Sequence, residues 1–237
     1  MTEEATKQEI SKRLEVIRSR IQKTGVDPDK VKLIAVTKGW GAEVVSAALE
    51  AGLSDFGENY AKELLQKATL EYPRSPSWHF IGIIRRNKVK ALGRYVKMWH
   101  SVSRIDEGRW IAGVAPGSDV LVQPNSVALS SEVPQGSASP RNGCAFSEVP
   151  QLVESLKKMG LSVLGLMVVA PTASSETSAR DIKLSFSKVA KLAGELGLKE
   201  LSMGMTDDLE QAVEVGATMI RVGRGLFGER TTTVGNY

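Results

Sequence analysis

The 237-residue chain is 42% hydrophobic and 24% charged, a balance that suits a folded globular protein with a sizeable core and argues against wholesale disorder. Its 31 Lys and Arg against 27 Asp and Glu leave a net charge of only +4, a weak attraction for polyanions, and the single cysteine excludes an internal disulfide framework or a Cys-rich zinc site. The opening stretch MTEEATKQEISKRLEVIRSR is charged throughout and lacks a signal-peptide core, and no run approaches the roughly 20 apolar residues of a membrane span, so a reducing, cytoplasmic location is expected.

From Glu3 to Lys23, Ile10, Leu14, Ile17 and Ile21 recur at helical spacing and predict an amphipathic helix that ends at Gly25, so residues 1–25 form a leading helical segment. A repeated rhythm follows: a short apolar run, a turn residue, an amphipathic stretch. The first run, VKLIAVT, precedes a helix over Ala42 to Ala51; the second, SDFGEN, precedes one over Tyr60 to Leu70. WHFIG leads into Asn87 to Leu92, and KMWHSV into a helix beginning near Arg104. After the fifth run, DVLVQPN, the rhythm breaks for a Ser/Pro/Gly-rich stretch, and residues 126–146 read as a mobile loop insertion. A helix over Ser147 to Met159 leads to the sixth run, LSVLGLMVV; the loop APTASSETSA and a long helix to Leu196 follow. KELSMGM with a helix over Asp207 to Val215, then ATMIRVG with a short helix near Gly225 to Phe227, complete eight units. Eight βα units predict an α/β fold, a single TIM (β/α)8 barrel domain over residues 1–237 with an extra N-terminal helix. A doubly wound sheet fits less well, because the turn TKGWGAE lacks the second half of a G-x-G-x-x-G fingerprint.

The richest basic stretch, RRNKVKALGRYVK, has few stacking aromatics and reads as a solvated helix face in preference to a nucleic-acid site. In a barrel the chemistry gathers where strands end. Those ends carry Lys38, Glu58 with Asn59, His79 with Gly82, Ser101, Asn125, Met167, Ser202 with Gly204, and Arg221 with Gly223. Ser101 and Asn125 also suit turn caps, His79 a hydrogen-bonded core histidine, and Thr206 with Asp207 and Asp208 a helix cap. Lys38 is less easily explained by structure alone. Desolvation and nearby cations favour its neutral amine, the form that attacks an aldehyde, which makes it a Schiff-base candidate of the kind that aldolases and pyridoxal phosphate (PLP) proteins both use. The last strands favour PLP: barrels bind phosphate after strands seven and eight, where SMGM offers Ser202 and RVGRGLFG offers Gly223, Arg224 and Gly225. Arg221, two residues before Gly223, faces the same mouth, where its permanent charge would keep a pyridine nitrogen unprotonated.

AVTK, DFGEN, WHFIGIIRRNK, HSV, GLM, LSMGMTDD and RVGRGLFG, in this order, make the chain resemble the pyridoxal phosphate homeostasis proteins, whose fold is similar to the N-terminal barrel of alanine racemase. The resemblance implies that Lys38 carries PLP as a Schiff base, that Arg221 faces the ring nitrogen, and that Ser202, Gly204, Gly223 and Arg224 surround the phosphate, with Asn59 and Met205 near the cofactor. His79 joins these as a cofactor-site candidate. It also implies a carrier that buffers PLP and supplies PLP-requiring apo-enzymes without robust turnover, and a monomer is expected. Arg224 stands where many relatives have threonine, Ile84 and Arg85 replace a leucine-glutamine pair, and Arg141 replaces a lysine in a longer loop. The alternative, a PLP-dependent racemase, needs a second proton-transfer group, which alanine racemase takes from a tyrosine on a separate domain; here His79 or a partner would have to supply it.

Overall fold

A computed structural model describes residues 6–125, 143–170 and 179–229. Its strands are β1 (Lys32–Val36), β2 (Asp55–Glu58), β3 (Ser77–Phe80), β4 (Val96–Val102), β5 (Asp119–Val122), β6 (Ser162–Met167), β7 (Glu200–Ser202) and β8 (Met219–Val222). They pair in parallel in chain order and close, β8 against β1, into the expected barrel. The helices are α1 (Lys7–Lys23), α2 (Ala42–Glu50), α3 (Ala61–Ala68), α4 (Arg86–Leu92), α5 (Ile105–Val114), α6 (Val149–Lys158), α7 (Ala179–Glu195), α8 (Leu209–Glu214) and α9 (Arg224–Phe227). The extra helix, α1, starts at a capping box in which the Thr6 hydroxyl accepts from the Glu9 N–H and the Glu9 carboxylate accepts from the Thr6 N–H.

Alternation along the strands sorts side chains into two layers. Ala35, Phe56, Trp99, Val120, Leu201 and Ile220 face the helices and join the main core. Ile34, Met98, Leu121, Met167 and Met219 fill the barrel interior as a separate, smaller cluster. Helix α1 buries Ile10, Ile17 and Ile21, each burial worth roughly 1.5–3 kcal/mol. From there Arg13 donates to the Leu226 carbonyl at 3.1 Å, and Arg20 donates to the Thr206 carbonyl at 2.9 Å and to Glu210. The added helix therefore fastens α8 and α9, the two helices that follow the last strands.

The expected loop 126–146 is corrected at its far end. Residues 126–142, Arg141 among them, lie outside the described residues, as do 171–178 of the second loop. Cys144, however, is pinned to β5's extension: its N–H donates to the Gln123 carbonyl at 3.0 Å and its carbonyl accepts from the Asn125 N–H at 2.9 Å. Ser147 belongs to a 3-10 turn over Phe146–Glu148, because Pro150 can occupy only the first turn of the helix that follows. Among the described residues, no helix is long and apolar enough to cross a membrane.

Candidate functional site

A cavity of about 470 Å³ opens at the carboxyl ends of the strands, within the size range of small-molecule sites. Lys38 enters it because residues 34, 36 and 38 share the inward face of the first strand and its extension. Asn59 enters from the end of β2, two residues beyond Gly57, and Arg221 from β8. Strands β1 and β8 are paired, with Ile34 opposite Arg221, so the lysine and the arginine stand on neighbouring staves.

The backbone on each side of Lys38 is held from outside the barrel by one helix. Lys67 of α3 donates to the Thr37 carbonyl at 2.7 Å, and Glu63, one turn earlier, accepts from the Gly39 N–H at 2.6 Å. Gly39 has φ 75, a left-handed conformation that glycine adopts without strain, and this turns its N–H toward α3. Lys67 also pairs with the fully buried Glu58 at 2.6 Å, and the Thr37 hydroxyl donates to the same carboxylate oxygen at 2.6 Å. Glu58 therefore points into the helix layer, away from the cavity, while its neighbour Asn59 points inward. Burial lifts the Glu58 carboxyl above its usual range, against the opposing pull of Lys67 and Thr37.

The cavity floor is built on Arg221, whose side chain is buried. Its Nη1 donates to the Ser202 carbonyl at 2.6 Å and the Ser202 hydroxyl at 2.7 Å, and its Nη2 donates to the Val168 carbonyl at 2.8 Å. Three of a guanidinium's five donors are thereby engaged. Burial pushes this group down to about 10, with Asp208 opposing, so it remains cationic at neutral pH.

Of the residues expected from the sequence, Lys38, Asn59, Met205, Arg221, Gly223 and Arg224 line this one cavity. Three do not. Ser202 is completely buried beneath the floor, where its hydroxyl serves Arg221 and not an anion at the rim. Gly204 has φ 93 and allows α8 to approach: a Cβ there would lie 2.6 Å from that of Ala212. His79 is 1% exposed and has both ring nitrogens engaged, Nε2 with Asp55 at 2.9 Å and Nδ1 with His100 at 2.8 Å. It is the hydrogen-bonded core histidine, not a wall of the cavity. Ser101 is likewise structural, its hydroxyl donating to the Gly82 carbonyl.

Thr206 lines the rim instead of capping α8, and its hydroxyl accepts from the Gly225 N–H at 3.1 Å. Asp208 accepts from the Met205 N–H, and Asp207 pairs across the rim with Arg224. Trp40, also missed from the sequence, lines the wall and packs on Phe227 at 6.1 Å between ring centroids. Its place in TKGWG, directly after the lysine turn, is the signal that would have found it.

Residues 7–231 match the alanine racemase N-terminal domain family. The pyridoxal phosphate homeostasis protein of Pseudomonas aeruginosa is 39% identical over 90% of this chain and 91% of its own length. The counterpart in Aquifex aeolicus is 33% identical over 93% of this chain and 96% of its own. This chain belongs to the pyridoxal phosphate homeostasis protein family. Among solved structures, PipY of Synechococcus elongatus, determined with PLP bound, superposes with a TM-score of 0.77 at 29% identity, covering 92% of this chain and all of PipY. A lysine decarboxylase of Selenomonas ruminantium shares the fold at a TM-score of 0.65 and 18% identity, this chain covering 62% of its length.

The cavity suits a phosphorylated aldehyde on this chain's own chemistry. It joins a half-buried primary amine, a buried guanidinium, and a rim cation in Arg224; the Asn59 Oδ1, meanwhile, is buried without a hydrogen-bond partner.

Proposed function

We propose that this protein holds PLP in the barrel mouth as a store and a source for PLP-requiring enzymes, without turning over a substrate of its own. The observation that carries the reading is the meeting of Lys38 and Arg221, from paired first and last strands, in one cavity of about 470 Å³. PipY, solved with PLP bound, supports it. When bound, PLP supplies an aldehyde that exchanges reversibly between amines and a ring that withdraws electrons.

This chain's residues divide the work of holding it. Lys38 offers the amine. Arg221, a donor without an acceptor, would meet a ring nitrogen placed above it and keep that nitrogen unprotonated, which would weaken the ring as an electron sink. Thr206, Gly223 and Arg224 would receive the phosphate, at the place where barrels of this kind bind one. Asn59 offers its unpartnered oxygen to the ligand. Among the described residues that line the cavity there is neither a histidine nor a tyrosine, and His79 is committed to Asp55 and His100, so two-base proton transfer has no second partner on this wall.

The test is borohydride reduction of the PLP-loaded chain followed by peptide mass mapping. A pyridoxyl adduct on Lys38, with loss of the near-visible band in Lys38→Ala, is the expected result; an adduct elsewhere, or none, overturns the site. Racemisation is the second reading, favoured by the match to the alanine racemase domain. Exchange of the alpha proton of L-alanine with deuterium should run no faster than with free PLP; a faster rate would establish that second reading.

A further inference from the structure

The chain has only two histidines, and both are buried in the barrel interior in contact with each other, their rings 5.0 Å apart in an edge arrangement. They belong to a continuous hydrogen-bonded line. It begins at Asp55, the first residue of β2, at the mouth opposite the cavity, where Lys32 lies 3.6 Å away and the side chain is 16% exposed. It runs through His79 Nε2 at 2.9 Å and from His79 Nδ1 to His100 Nε2 at 2.8 Å. It then crosses from β4 to β7, His100 Nδ1 to the Ser202 hydroxyl at 3.0 Å, and ends at Arg221, 2.7 Å from that hydroxyl. Each strand contributes its member because inward positions alternate: His100 shares a face with Met98, and Arg221 with Met219.

The two ends fix the direction of every link. Burial alone would raise the Asp55 carboxyl, but the hydrogen bonds from His79 and Ser54 and the charge of Lys32 outweigh it and hold the group at about 2, so at neutral pH it only accepts. His79 must then carry its proton on Nε2 and accept at Nδ1 from the His100 Nε2–H. His100 Nδ1 is left bare and accepts the Ser202 hydroxyl proton. At the other end Arg221 only donates, so Ser202 turns its lone pairs toward it. One assignment satisfies every atom, with both imidazoles neutral. Desolvation above all, with the charges of Arg221 and Lys32 adding to it, holds His100 well below the ordinary imidazole range.

We propose that Asp55, His79 and His100 form a proton-ordered line of positioning residues that orients Ser202 and, through it, the guanidinium of Arg221 on the cavity floor. The occupancy of the far end is thereby coupled to the donors offered at the near end. An extra proton on His79 would reverse each link. His79 Nδ1 would donate to His100 Nε2, His100 Nδ1 would donate to Ser202, and the Ser202 proton would lose its acceptor. The line itself does not depend on PLP; only its effect on a ligand rests on the function proposed above.

With two histidines in the chain, the experiment has only four ring nitrogens to assign. In protein labelled with 15N-histidine and freed of PLP, long-range 15N–1H correlation should show Nε2–H tautomers for both rings, unchanged from pH 6 to 8. Asp55→Leu, which removes the acceptor, should redistribute the tautomers, shift the near-visible band of added PLP and weaken PLP binding about fivefold, the order expected for one hydrogen bond. Asp55→Asn, which retains an acceptor oxygen, should restore the wild-type pattern. An Nδ1–H tautomer or a titrating imidazolium in the wild-type chain overturns the proposal, as does an Asp55→Leu variant with unmoved His100 signals and an unmoved PLP band. If Asp55→Leu does not fold, the wild-type tautomers still decide. A borohydride adduct away from Lys38 would defeat the PLP reading and leave the tautomer result standing.

Discussion

Two buried polar networks meet the cavity from opposite sides of the barrel wall, and they are built on opposite terms. The inner one, Asp55–His79–His100–Ser202–Arg221, is the single file of hydrogen bonds proposed above to be proton-ordered. The outer one, Glu58 with Lys67, Thr37 and Glu63, is a knot of charges under the Lys38 backbone. The inner network shapes what the floor offers a ligand, whereas the outer one fixes where the lysine stands. Loss of a histidine from the inner file costs an unmet hydrogen bond, whereas a buried ion pair that loses one partner leaves a bare charge.

The largest contrast is therefore expected from Lys67→Met, which strands Glu58 in the helix layer. It should lower unfolding free energy by about 3–5 kcal/mol, read from the urea midpoint. Adding Glu58→Gln to that variant should recover part of the loss, since it removes the stranded charge; a double variant no better than the single would mean that packing, not charge, is at stake.

Acid should separate the two networks by sign. Asp55 is held at about 2 against an ordinary 3.8, so its contribution, about 1–2 kcal/mol, is complete above 3.8 and disappears as pH falls through about 2. Glu58 is raised, so its ionisation opposes folding as pH climbs through its folded value and is relieved on acidification. Denaturation curves between pH 2 and 6 should accordingly lose their acid slope in Asp55→Asn and steepen in Glu58→Gln.

A smaller effect is expected from Glu63→Ala, which frees the Gly39 N–H: about 1 kcal/mol of stability, with faster hydrogen exchange at Gly39 and little change at His100. The smallest belongs to Arg224→Ala. Its pair with Asp207 is half-exposed, so stability should move by no more than about 0.5 kcal/mol, while PLP binding weakens measurably in titration.

The sequence made the barrel legible because each unit repeats the same run, turn and amphipathic stretch, and because inward positions at strand ends follow from alternation. Lys38, Asn59 and Arg221 were read that way and do line one cavity. The networks behind them were much less legible. Lys67 looks like any surface lysine on α3 until its spacing from the buried Leu64 is set against a strand that ends in Glu58. His100 was passed over inside KMWHSV, although its alternation with Trp99 already placed it on the barrel's inner face. The reassignment of Ser202 from the rim to Arg221, and of Thr206 from cap to rim, depends on distances across the barrel that no local spacing encodes.

The closure of β8 onto β1 also sets when the protein becomes competent. During synthesis the amine of Lys38 precedes the guanidinium of Arg221 by 183 residues, and the two meet only when the final strand docks beside the first. A chain that lacks its last strand therefore lacks the arginine that meets the amine in the cavity.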